Sequence, residues 1–138
     1  MKTILKIIHR GYGQLELQKV EALSDEVITE VACGCDHTCC VTSTGSIFTW
    51  GKYGTGHGNG EGILSLPRLL RDLSSKDVIS VSAHFHTACC VTKAGEVFTW
   101  GYGFYGKLGH GNYEAHPDQQ NPKRVEALVG VKAIQVSC

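Results

Sequence analysis

An all-β fold, a partial β-propeller of four-stranded blades, is what this 138-residue chain predicts. Three observations carry that reading. The stretch 31–51 recurs at 81–101, and Trp50 and Trp100 stand 50 residues apart. A repeat period of roughly 20 to 50 residues marks solenoids, propellers or arrays. No segment shows sustained helical periodicity, and short runs of β-branched, aromatic and small residues alternate with glycine-bearing turns. Four short antiparallel strands per repeat make one propeller blade.

Each strand has a local reason. The first, 28–33 and again 78–83, leads into the repeated core stretch. The second covers 39–42 and the third 47–50, each recurring one period later. Between them lies Ser43-Thr44-Gly45-Ser46, repeated as Lys93-Ala94-Gly95-Glu96, where Gly45 and Gly95 fit the positive-φ position of a tight hairpin loop. A glycine-rich loop comes next, Gly101-Tyr102-Gly103-Phe104-Tyr105-Gly106-Lys107-Leu108-Gly109-His110-Gly111, shortened in the first copy to 51–58. A fourth strand then runs over 67–70 and over 122–128. A weaker copy of the glycine loop opens the chain at Gly11-Tyr12-Gly13. The chain divides into a partial repeat at 1–45, a repeat at 46–95, and a repeat cut short at 96–138. With about two and a half copies, stopping inside the opening of another, it reads as a fragment or a truncated gene model, with a short natural protein as the alternative.

Composition excludes several function classes. Lys and Arg together equal Asp and Glu at 13 each. Without a net positive field to attract phosphates, nucleic acid is not the expected partner. No stretch is long and apolar enough for membrane insertion. The first ten residues are broken by Lys6 and followed by no small-residue cleavage site, so they do not read as a signal peptide. Seven cysteines, an odd number with two adjacent pairs, suit a reducing compartment, cytoplasmic or nuclear.

The cysteines and histidines invite a zinc reading, because thiolate and imidazole are zinc ligands. Cys33, Cys35, His37 and Cys39 alternate along one strand and cannot converge on one tetrahedral ion without a bend. The repeat offers a simpler account: Cys33 and Cys138 share one slot, and Cys39-Cys40 and Cys89-Cys90 share another, as small strand hydrophobes. Neighbours on a strand point to opposite faces, which disfavours vicinal disulfides. Four histidines also recur: His37 and His86 before a threonine, His57 and His110 between glycines. Hydrogen bonding that ties strand ends to the glycine loop is their expected work. Gly101 to Gly106 formally spells G-x-G-x-x-G, but no helix can continue from it, so phosphate binding is not expected. Trp50, Trp100, Phe48 and Phe98 read as core. Binding is expected in the loops that differ between copies, 59–65 and 112–121.

The pattern Val-Ala-Cys-Gly-x-x-His-Thr, then Val-Thr-x-x-Gly-x-Ile/Val-Phe-x-Trp-Gly, then Gly-x-Leu-Gly-His-Gly, resembles the repeat of the regulator of chromosome condensation family over 11–138. The resemblance marks Gly34, His37, Thr38, Gly45, Trp50, Gly51, His86, Thr87, Gly95, Trp100, Gly101, Gly106, Leu108 and Gly109 as structural repeat positions. Matching His86 to His37 by type needs one residue fewer before it and one more after, which leaves the strand register there open. The resemblance implies a seven-bladed ring, of which this chain supplies two blades and incomplete neighbours. Open blade faces expose apolar surface and sheet edges, so the segment is expected to be unstable alone or to close a ring by self-association. The implied function is a protein–protein interaction scaffold within a larger regulatory protein, with no cofactor, no metal and no catalytic residue in this segment. The alternative is guanine-nucleotide exchange on a small GTPase, which would need a complete ring and an inserted wedge. A second alternative is a Cys/His structural metal module.

Overall fold

The repeated stretches fold as repeated antiparallel meanders. The computed structural model describes residues 5–6, 18–58, 62–111 and 118–138. Strands β1 (Leu5–Lys6) and β2 (Gln18–Lys19) form a short ladder. The first blade runs β3 (Ile28–Cys33), β4 (His37–Thr42), β5 (Ile47–Gly51) and β6 (Leu64–Leu69), side by side in that order. The second runs β7 (Val78–His84), β8 (Thr87–Thr92), β9 (Val97–Gly101) and β10 (Gln119–Arg124) in the same order. Among the described residues there is no α-helix, only 3-10 turns at Glu21–Leu23, Arg71–Leu73, Phe104–Gly106 and Glu126–Leu128. The divisions at 45/46 and 95/96 fall in the β4–β5 and β8–β9 loops, so each sheet draws on two sequence repeats.

The hairpin loops are built by two threonines and two glycines. Thr42 Oγ1 accepts the Ser46 amide at 3.1 Å, and Thr92 Oγ1 accepts the Glu96 amide at 3.2 Å. Gly45 and Gly95 hold φ of 79° and 84°. A side chain there would also strike the incoming chain, Asp77 at Gly45 and Lys132 at Gly95. That chain is hydrogen-bonded to the loop, Val78 N to Gly45 O at 2.9 Å and Ala133 N to Gly95 O at 3.2 Å. Each hairpin thus seats the segment that opens the next repeat.

The fourth strands differ from expectation. The first begins at Leu64, three residues before Pro67, and ends at Leu69. The second begins at Gln119 and ends at Arg124, after which Glu126–Leu128 turns as 3-10. Both prolines sit where the ladder register slips, between Gly51↔Leu64 and Thr49↔Arg68, and between Gln119 and Lys123. A residue with no amide hydrogen is tolerated at an outer, irregular position of a sheet.

The second correction concerns register. Thr38 faces Trp50 and Ala88 faces Trp100; His37 faces Gly51 and Thr87 faces Gly101. The offset between blades is therefore 50 residues over the first three strands, and it widens to 55 at the fourth, where Lys123 takes the place of Arg68. His86 is the counterpart of Asp36, and Thr87, not His86, fills the slot of His37. The strand ladders set this position, and they ignore the chemical likeness of two histidines.

The main core lies between the blades. Cys39, Val41 and Ile47 from the first meet Val81, Ala88, Cys90, Phe98 and Trp100 from the second, with Leu70 and Leu73 of the connection closing one end. Cys40, with Trp50 and Ile28, belongs to a separate cluster on the first blade's opposite face. Strand alternation therefore sends adjacent cysteines to opposite cores. Trp100 is wholly buried, and its Nε1–H donates to Gly54 O across the blade boundary at 2.9 Å.

Candidate functional site: the loop face of the blades

Antiparallel order places the β3–β4 and β5–β6 loops at one end of the first sheet and the β7–β8 and β9–β10 loops at the same end of the second, so both blades present these loops on a common face. Three backbone bonds lock the loops together. Cys35 N donates to Phe85 O at 2.8 Å, between blades. Within each blade, Lys52 N donates to Asp36 O at 2.8 Å and Tyr102 N to His86 O at 3.1 Å. Gly51 and Gly101, at φ of 122° and 103°, lie directly beneath those same carbonyls of Asp36 and His86, where a Cβ would collide.

An aromatic cluster forms around His86. Its ring centroid lies 4.3 Å from that of Phe85 and 5.1 Å from those of Tyr53 and Tyr102. Tyr102 stacks edge-on with Phe104 at 6.0 Å, and Phe104 leads to Tyr105 at 6.5 Å. The Lys52 ammonium sits 4.7 Å from the Tyr53 centroid, within cation–π reach. Asp36 Oδ2 lies 3.8 Å from His86 Nδ1, beyond hydrogen-bonding distance. Two aromatic side chains are held outward by backbone in the left-handed region: Phe85, φ 52° and 52% exposed, and Tyr105, φ 61° and 81% exposed. Non-glycine residues in that region are uncommon and concentrate at functional sites.

His37 lies beneath this surface, 3% exposed, with neither ring nitrogen hydrogen-bonded. Its imidazole packs where a Cβ on Gly34 would go. Burial pushes its pKa down to about 4, helped by the nearby His86 and opposed by Asp36. Its counterpart Thr87 donates instead to Tyr102 O at 3.1 Å.

The glycine loops are tied to the third strands by a repeated triad of groups. Thr49 Oγ1 donates to Thr55 O at 2.6 Å and lies 2.9 Å from His57 Nε2. Thr99 Oγ1 donates to Leu108 O at 2.7 Å and lies 3.0 Å from His110 Nε2. A hydroxyl has one proton, already given to the carbonyl, so each imidazole donates from Nε2–H. Leu108 is buried, and Gly106 and Gly109 take φ of 70° and 72° at the bends on either side of it. Thr38 lies in mid-ladder opposite Trp50, while Gly45 and Gly95 sit at the other end of the sheets.

The structure thus brings Gly34, His37, Gly51, His86, Thr87 and Gly101 to the loop face and leaves the tryptophans in the cores. Of the variable loops expected to bind, 59–61 and 112–117 lie outside the described residues, and 64–65 and 119–121 are strand. Sequence reasoning missed Asp36, Tyr53, Phe85, Tyr102 and Phe104. The signal available was tyrosine and phenylalanine placed among loop glycines, where no core needs them. Among the described residues, no three His, Cys, Asp or Glu side chains gather as a metal ligand set. No helix among them is long and apolar enough to cross a membrane.

Two family models describing the regulator of chromosome condensation (RCC1) repeat match the chain, at residues 28–62 and 94–138, together more than half of it. The human E3 ubiquitin-protein ligase HERC2 is 36% identical over 86% of this chain, which spans 2% of that protein. The Arabidopsis thaliana ultraviolet-B receptor UVR8 is 37% identical over 88% of this chain, which spans 27% of it. The crystal structure of human WBSCR16 superposes with a TM-score of 0.76 at 25% identity, covering 93% of this chain and 33% of that one. The chain belongs to the RCC1 repeat family and forms part of a β-propeller.

Proposed function

We propose that this RCC1-repeat segment is a protein-interaction scaffold whose contact surface is the loop face, acting within a larger regulatory protein. The observation that supports it is the pair of outward aromatics, Phe85 and Tyr105, held on left-handed backbone beside Tyr53, Tyr102 and Phe104. Large rigid aromatics bury much area for little lost side-chain freedom, which suits them as anchors of an interface. The relatives differ in what their names say they do, a ligase and a light receptor, while sharing this module. A scaffold reused in different proteins fits that pattern.

A photo-crosslinking amino acid placed at position 85 or 105 in cells tests the reading, with position 44 or 94 on the opposite end as control. A discrete protein adduct from 85 and 105, absent from 44 and 94, is expected. Equal labelling from both ends would sink the proposal. Release of fluorescent nucleotide from a small GTPase, stimulated by the segment and blocked by Phe85→Ser, would replace scaffolding with exchange.

A further inference from the structure

The two blade boundaries differ in one chemical respect. At the first, Ala83 near the end of β7 packs against the buried cluster that contains Cys39 of β4. At the second, segment 131–138 repeats the approach of β7, with Ala133 N bonded to Gly95 O as Val78 N is to Gly45 O. Val136-Ser137-Cys138 matches Val81-Ser82-Ala83, so a thiol stands where the first boundary has a methyl. Its partner is Cys89, the counterpart of Cys39. The two sulfurs lie 3.1 Å apart. Cys138 is held in place by its amide, which donates to Ser82 Oγ at 2.9 Å.

The pair is reachable. A cavity of about 430 Å³ opens onto it, lined by Cys89, Cys138, His84, Thr87, Lys107 and Leu108. The two thiols are also unequal. The hydrogen bond to Cys89 lowers the Cys138 thiol, with burial opposing and Ser82 and the Lys107 ammonium adding to it. Donating that bond, together with burial, pushes Cys89 up. An exposed thiol at the mouth and a buried thiol behind it are placed as the attacking and resolving partners of thiol–disulfide exchange.

We propose that Cys89 and Cys138 form a redox site that reacts with small cysteinyl-peptide disulfides, such as oxidised glutathione, and closes into an intrachain disulfide. The Cys138 thiolate attacks one sulfur of the small disulfide, whose S–S bond breaks and releases one thiolate. Cys89 then gives its proton to that thiolate and attacks Cys138 Sγ, displacing the second half as a thiolate, which takes a proton from water. Counted from the two thiols, the protein loses two electrons and two protons, one released to water when Cys138 ionises and one passed on by Cys89, and the small disulfide is reduced to two thiols. The bond stitches segment 131–138 to β8.

The full chain, incubated in glutathione buffers of graded ratio and mapped by mass spectrometry without reduction, tests this. A Cys89–Cys138 peptide is the expected dominant product, and Cys138 should alkylate at neutral pH at least about tenfold faster than exposed Cys33. In Cys89→Ser, the reaction should stop at a glutathione adduct on Cys138. Ala83→Cys should create a second pair with Cys39 at the first boundary, which keeps the idea testable if Cys89→Ser fails to fold. Preferred linkage of Cys138 to Cys33 or Cys35, or adducts spread evenly over the exposed cysteines, would overturn it.

Discussion

The two blades share a register and differ at one turn. The first reads Gly34-Cys35-Asp36-His37 and the second His84-Phe85-His86-Thr87, residue for residue at the same ladder positions. In the first, a glycine leaves room for a buried imidazole. In the second, a small threonine takes the inner slot and hydrogen-bonds the glycine loop, and histidine stands where glycine was. The large group has changed places while the strands have not moved. Sheet and turn are therefore separable: ladders and inter-blade packing hold the blade, and the turn is free to vary what it displays.

The comparison breaks most visibly at the tryptophans. Trp100→Ala should cost about 3–5 kcal/mol in urea denaturation, because a fully buried indole at the blade boundary is removed. Replacement by Phe separates the blades further. Trp100 loses a hydrogen bond to Gly54 O, whereas Trp50 Nε1 is buried without a partner. Trp100→Phe should cost about 1 kcal/mol more than Trp50→Phe.

Acid should act most strongly through the first blade's turn. His37 falls from the usual 6.5 to about 4 on folding, so the folded state favours the neutral ring. Its contribution is fully present above pH 6.5, declines as pH drops through 6.5 toward 4, and levels off below that. The integrated loss is about 3 kcal/mol. His37→Thr, copying the second blade, should flatten that part of the profile in denaturation measured from pH 7.5 to 4. An unchanged slope in the variant would assign the acid sensitivity elsewhere.

The glycines at the strand ends should behave alike in both blades. Gly51→Ala and Gly101→Ala each place a Cβ against a carbonyl on left-handed backbone, costing at least about 1–3 kcal/mol from strain alone. Unequal losses would show that the blades tolerate loop movement differently. The smallest effect is the coupling inside the first turn. Gly34→Ala puts a methyl into the His37 ring and against Phe85 O. Adding His37→Thr should recover about 1 kcal/mol, the ring's share, and leave the cost of the Phe85 carbonyl.

Much of the blade was legible because it is local. Thr42-Ser43-Thr44-Gly45-Ser46 carries its own turn chemistry, and the runs after it carry strand periodicity, so the β4–β5 and β8–β9 hairpins could be read directly. The fourth strands were misplaced because an edge strand's limits depend on what it pairs with, and proline there marks a ladder irregularity rather than a start. His86 was matched to His37 because likeness of side chain is visible in sequence and ladder register is not.

The chain by itself determined the repeat, the strand content, the hairpin glycines and the family. These rest on neighbours a few residues apart and on one internal comparison. Only tertiary structure brought Asp36, Tyr53, Phe85, His86 and Tyr102 onto one face, and set Cys138 against Cys89. Those groups lie up to 66 residues apart, from Asp36 to Tyr102, in different strands and loops. Their meeting depends on how one blade packs on the next, an arrangement decided by the shared core of Cys39, Ile47, Phe98 and Trp100 and not by any local pattern.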